Sequence, residues 1–388
     1  MCARSLNNQK DISVDICVFA GDILSISFTS LDTALSAGQI TKGMGQYRSA
    51  AARLQVEWEE VAPGLHDIAL SDGDLDYVVD LVTDILSIIE RHPSITPGHG
   101  VGHARRVTAH GISLALSEEM SHADAARLLI ATAAHDLGRL VLSEDTSDIS
   151  HAEVSGVLAE ELGEALAVLP AAIWRTAQEA ILVHTLAPVG ERLWFRVIDD
   201  VRTCDGIDNG GVGAGIVRCA LNSSSEANLG AALPTEGLDE KTWLGWWRYR
   251  SNNPAPPHIA RSAWGRSERS VRNAQGRRLI GILPHLDGDP DSVGPIFRAL
   301  AFAVEPDMSE YSLERAQRRL LELPGREFRR WAGALPLIRQ CYINESVRLA
   351  EMLEDAIYQG DGLLAPLASR LLADGVARLP NGDRHLTQ

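Results

Sequence analysis

Six side chains, widely separated along the chain, are of the kinds that bind a divalent transition metal. They are His103, the adjacent pair His135-Asp136 in ATAAHDLGRL, His151, His184, and Asp205 in VRTCDGID. Imidazole nitrogens and carboxylate oxygens suit such ions, and no paired thiolates are present to compete. Asp136 follows the apolar run ATAA and precedes Leu137 and Gly138. An unpaired carboxylate in that setting costs on the order of several kcal/mol, so a cation is its economical partner. If the segments carrying these residues are antiparallel helices, the side chains meet in a bundle core and hold one ion or two. A lone helical histidine is more often a hydrogen-bonded core or surface residue, and His66, His92, His110, His122, His258, His285 and His385 are read that way.

The elements that must position the six residues are helical. Leu75, Val78, Val79, Val82, Ile85, Leu86 and Ile89 form an i, i+3, i+4, i+7 stripe, and HPSITPGHG ends that helix. The next helix starts near Gly102 and carries His103, Val107, His110 and Leu114 on one face. Ser121 with Asp124 reads as a capping box opening SHADAARLLIATAAHD, in which Leu128, Thr132 and His135 share a face. Ser150 with Glu153 reads as a second box that puts His151 in the first turn of the following helix. A helix from Ile173 to His184 and another through WFRVIDDVRTCDGID complete the set. Short connections favour antiparallel neighbours.

The ordered motifs GHGVGHARRV, AAHDLGR, SHAEVSG, AILVHT and VRTCDGID, over roughly residues 97–222, resemble the HD-domain superfamily of metal-dependent phosphohydrolases. The resemblance implies a mainly α fold, with an HD-domain helical bundle around a metal site over residues 74–222. A small mixed N-terminal region (1–73) precedes it and a mostly helical C-terminal extension (223–388) follows. It also implies a ligand set. His103 matches the first ligand, His135 and Asp136 the dyad, and Asp205 the closing acid, with Asp199 and Asp200 one or two turns earlier as its competitors. In two-metal members the dyad aspartate bridges and further histidines hold the second ion; His151 and His184 occupy those places. Two ions are therefore expected, iron or manganese, with cobalt, nickel, zinc or magnesium also compatible. Arg106 and Arg139 are candidates to neutralise a substrate phosphate, His99 to contact substrate or act as an acid, and Asp208 to support the ligands or face the substrate.

The implied reaction is hydrolysis of a phosphate ester of a small molecule, a nucleotide being the favoured substrate, by metal-activated water. The competing enzyme reading is a mixed-valent diiron oxygenase of the same superfamily, cleaving a carbon bond with oxygen. A degenerate, purely regulatory site would lack a ligand, yet all six positions are filled.

Bulk properties narrow the partners. The chain has 388 residues, 45% of them apolar and 23% charged, as expected of a globular protein. Its formal net charge of −16 argues against a nucleic-acid partner, because no global positive field attracts a phosphate backbone. The five cysteines are scattered without a CxxC pair, which fits reduced thiols and a cytoplasmic protein. No segment approaches the ~18–20 uninterrupted apolar residues of a membrane helix. DICVFAGDILSISFTS alternates as one or two strands. Gly43 and Gly45 lack the strand–helix context of a phosphate loop. Trp243, Trp246, Trp247 and Tyr249, interleaved with Arg248 and Arg250, read as an interface or as a platform for a base. The two terminal portions are open to shaping the pocket, forming a homodimer or binding an effector.

Overall fold

A computed structural model describes residues 68–92, 99–142, 150–165, 168–185, 194–213, 251–282 and 325–376. The strand expectation near the N-terminus, the glycines at 43 and 45, the aromatic–arginine stretch 243–250, and His66, His285 and His385 lie outside these residues. All regular structure among the described residues is helical. In chain order the elements are α1 (Asp72–Arg91), α2 (Val101–Ser117), α3 (His122–Ala134), a 3-10 turn (Leu137–Leu140), α4 (His151–Ala165), α5 (Ala171–Val183), α6 (Trp194–Asn209), α7 (Pro257–Arg261), α8 (Ala263–Ile282), α9 (Gly325–Gln359) and α10 (Leu364–Ala373). None of these helices is long and apolar enough to cross a membrane.

Local signals set the helix starts. The Ser71 side chain accepts from the Asp74 amide while the Asp74 carboxylate accepts from the Ser71 amide at 2.8 Å, which opens α1. The same reciprocal pair, Ser150 with Glu153, opens α4. At α3 the Asp124 amide donates to Ser121 Oγ, and the Ser121 hydroxyl donates to the Asp124 carboxylate. Each pairing satisfies amides that the first helical turn leaves without partners.

α2 is the central element. Every residue from Val101 to Ala115 except half-buried Arg106 is buried, as befits a helix without a continuous polar face. It is packed by α1, α3, α6, α9 and α10. Small residues permit the close approaches. A Cβ on Gly156 of α4 would lie 2.7 Å from Leu182 Cδ1 of α5, so these helices meet backbone to side chain, and Gln178 of α5 donates to the Gly156 carbonyl at 3.1 Å. Ile259, Trp264, Leu349, Leu353, Ala356, Leu367 and Leu371 belong to the same buried core as Val78, Ile112 and Leu128. The described part of the C-terminal extension thus shares one apolar interior with α1–α6.

Candidate metal centre

The fold brings the six expected ligands together from five helices, three within helices and three in the bends that follow two of them. His103 comes from the first turn of α2, His151 from the first turn of α4, and Asp205 from α6. His135 and His184 sit immediately after the last turns of α3 and α5. The chain then bends at Asp136, which precedes the 3-10 turn, so the dyad points into the bundle rather than continuing along a helix. Gly138 makes that bend possible. Its amide donates to Ser155 Oγ at 2.7 Å, and a Cβ here would run into the His151 carbonyl. This contact sets the HDLG turn directly against the start of α4 and brings His151 to Asp136.

The donor atoms form two groups that share one carboxylate. His103 Nε2 lies 3.2 Å from His135 Nε2, 3.3 Å from Asp205 Oδ1 and 3.4 Å from Asp136 Oδ2. His135 Nε2 is 3.5 Å from the same Asp136 oxygen and 3.9 Å from Asp205 Oδ1. Ligand atoms about 2.0–2.2 Å from one ion are separated by about 3.0–3.5 Å, so these four donors are spaced like the corners of a coordination shell. The other oxygen of Asp136, Oδ1, faces His151 Nε2 at 3.4 Å. Asp136, His151 and His184 form a second group with ligand atoms within 4.8 Å of one another, and the His151 and His184 rings meet edge to face.

Hydrogen bonds behind the rings fix which nitrogen faces inward. His135 Nδ1 donates to the Thr132 carbonyl at 2.8 Å and His184 Nδ1 to the Ile181 carbonyl at 2.7 Å. His103 Nδ1 donates to Asp208 Oδ2 at 2.7 Å, and Arg106 holds Asp208 through Nε at 2.8 Å and Nη2 at 3.1 Å. With the proton on Nδ1, each neutral ring presents its Nε2 lone pair to the cluster. Two such lone pairs 3.2 Å apart, as at His103 and His135, repel unless a cation or an added proton lies between them. This is the outer-shell arrangement that orients imidazole ligands toward a metal.

Electrostatics agree with that polarity. Burial raises the Asp136 carboxyl, but the His135 and His99 rings and the bonds from His103 and His99 outweigh it and hold it well below the carboxylate range. Burial likewise opposes ionisation of Asp205 and Asp208, yet His103 lowers the former and Arg106 with His103 the latter. Burial disfavours charge on His103, but Asp136, Asp205 and Asp208 together push it well above its ordinary value. His184 is driven down to about 3 by burial and then by His151 and His135. Of the three ionised carboxylates only Asp208 is hydrogen-bonded by a guanidinium, that of Arg106, so the others suit protonated imidazoles or cations. The donor types, spacing and charge therefore fit divalent ions.

The remaining candidates take distinct places. His99 is partly exposed, at 19%, with Nδ1 donating to Asp136 Oδ2 at 2.9 Å; burial lowers it to about 4, so it is neutral near pH 7. Asp205 is the most open of the ligands at 26% exposure. Arg139, half-buried, is near enough to disfavour charge on His99. Arg106 directs its guanidinium at Asp208. Asp199 and Asp200 face Arg261, away from the cluster. His122 pairs with Asp361, and the His258 carbonyl accepts from Thr203.

His110, read from the sequence as a hydrogen-bonded core or surface residue, is one, and only its partner is new. His110, fully buried a further two turns along α2, accepts at Nε2 from Arg272 Nη2 of α8 at 3.3 Å and lies 3.9 Å from Asp208 Oδ1. Its position on the His103 face was a usable signal, while Arg272 is one arginine among many. Compared with models of known protein families, with curated proteins and with solved structures, the chain matches none of them.

Proposed function

We propose that the chain is a metal-dependent phosphohydrolase of the HD-domain type that its motifs resemble, acting on a small phosphorylated substrate of the nucleotide class. The observation carrying this reading is the placement of Asp136, whose two carboxylate oxygens face different imidazole groups, as a bridging ligand of a two-ion centre does. His103, His135, Asp136 and Asp205 would hold one ion, and Asp136, His151 and His184 the other. Divalent ions there supply Lewis acidity and bring the pKa of bound water from ~15.7 toward ~7.

The chain's own groups divide the rest of the work. Asp205 and His99 are the more exposed groups of the cluster, so substrate would approach beside them. The His99 Nδ1–H bond to Asp136 orients a neutral ring beside the centre, where it would contact the substrate. Arg139, close enough to His99 to act on its charge, would meet a phosphate. Arg106 acts through Asp208 on His103 and holds its tautomer.

The test is a panel of phosphomonoesters, phosphodiesters and nucleotides incubated with manganese, read by phosphate release, alongside iron content and oxygen uptake. Metal-dependent phosphate release that disappears in Asp136→Ala is the expected result. Oxygen consumption without phosphate release would instead favour the diiron oxygenase reading and overturn this one.

A further inference from the structure

Beyond the ligands and their immediate partners, a buried ion pair from the C-terminal helices grips the end of the helix that carries Asp205 and Asp208. Glu345 of α9, 7% exposed, accepts from the Val212 amide at 3.0 Å and the Gly213 amide at 3.1 Å, just past the end of α6. Arg272 of α8, 3% exposed, pairs with Glu345 and reaches His110 of α2. The turn between them is built for this contact. A Cβ on Gly211 would lie 2.7 Å from Glu345 Oε1 and 3.0 Å from both Arg272 Nη1 and the Asp208 carbonyl. The pair therefore clamps α6 to α2 at the level where Asp208 of one meets His103 of the other.

We propose that Arg272, with Glu345, is a positioning residue of the metal centre: by tying the turn after α6 to His110 of α2, it holds Asp208 on His103 Nδ1 and Asp205 among the ligands. This rests on the metal reading above and extends it, because it makes α8 and α9 part of the centre although neither supplies a ligand. A buried, charge-assisted clamp costs desolvation that an apolar contact would not, so what it contributes here is the fixed geometry of its hydrogen bonds rather than bulk stability. The neighbouring pair Arg348–Glu268 joins the same two helices and acts on Arg272 by charge, but reaches neither α6 nor α2 through any described hydrogen bond; replacing both members keeps the local charge balance, and the pair serves as the internal control.

The experiment titrates cobalt(II) into the metal-stripped full chain, following its visible absorption, for wild type, Arg272→Met, Arg272→Lys, Glu345→Gln, Gly211→Ala and the double variant Glu268→Gln/Arg348→Met. Thermal midpoints are measured on the same samples. Arg272→Met, Glu345→Gln and Gly211→Ala are each expected to weaken cobalt binding by about 10- to 100-fold. Arg272→Lys should recover part of it, and the double variant should keep wild-type affinity even where its midpoint falls. Glu345→Gln and Gly211→Ala remain informative if Arg272→Met does not fold. Wild-type affinity in all the clamp variants, or an equal loss in the control, overturns the positioning role. A wild type that binds no cobalt, manganese or iron overturns the metal reading and this inference with it.

Discussion

Replacing Gly138 by alanine strikes the contact that joins the two halves of the candidate centre. The added methyl would run into the His151 carbonyl and lie 3.0 Å from both the amide nitrogen and the hydroxyl of Ser155. Restoring ordinary contact at about 3.4 Å requires the start of α4 to retreat by about 0.4 Å at Ser155 and by more at His151. That retreat also lengthens the 2.7 Å bond from the Gly138 amide to Ser155. Overpacking of this kind costs about 1–3 kcal/mol, which lowers the thermal midpoint by roughly 1–4 °C in a protein of this size. The effect on metal should be uneven. His151 moves with α4 away from Asp136 Oδ1, whereas His103 and Asp205 are anchored on α2 and α6. The His151–His184 side is expected to lose about 10- to 100-fold in affinity while the His103–His135 side is nearly unchanged. Manganese titration by calorimetry, with thermal scanning of the metal-free protein, reads both quantities. Parallel loss at the two sides, or an unchanged midpoint with two intact sites, would refute the reasoning.

Three further outcomes follow from the same geometry. Asp208→Asn removes the anion that Arg106 and His103 share, so metal affinity on the His103 side should fall about 10- to 100-fold and stability by about 3–5 kcal/mol, measured by titration and denaturant unfolding. Burial raises the Asp200 carboxyl to about 7 despite Arg261, so the folded state holds its proton more tightly than the unfolded chain. That contribution to stability is greatest below pH 3.8 and is lost as pH rises toward 7; Asp200→Asn should flatten this slope and raise stability at pH 8 by on the order of 1–3 kcal/mol, read from unfolding curves across pH. Acidification should release metal, since the ligand imidazoles must be deprotonated to bind. Dialysis at stepwise lower pH followed by metal analysis checks the direction.

Much of the site was legible because helix periodicity and caps are local properties. The Leu75–Ile89 stripe, the Ser121 and Ser150 starts, and His135 and His184 at helix ends all follow from neighbours within a few residues. The six candidate ligands were legible as residue types in an order, and the structure supplies what order alone lacks, the two faces of Asp136. Arg106 was read as turned toward substrate, yet its partner Asp208 comes from a helix far along the chain, and no local pattern encodes that choice. The same holds for Arg272 and Glu345. Each has an unremarkable sequence context, and their meaning arises only when α8 and α9 pack on α2 and α6. Gly138 carried a signal in the HDLG run, but its reason, the carbonyl of His151 where a Cβ would sit, is purely tertiary.

The most direct test of a two-ion centre bridged by Asp136 is metal analysis of protein purified without oxygen, in wild type and in His151→Ala. Two equivalents per chain in the wild type, falling to one in the variant, is the expected result. A single equivalent that His151→Ala leaves unchanged, or none at all, would contradict it.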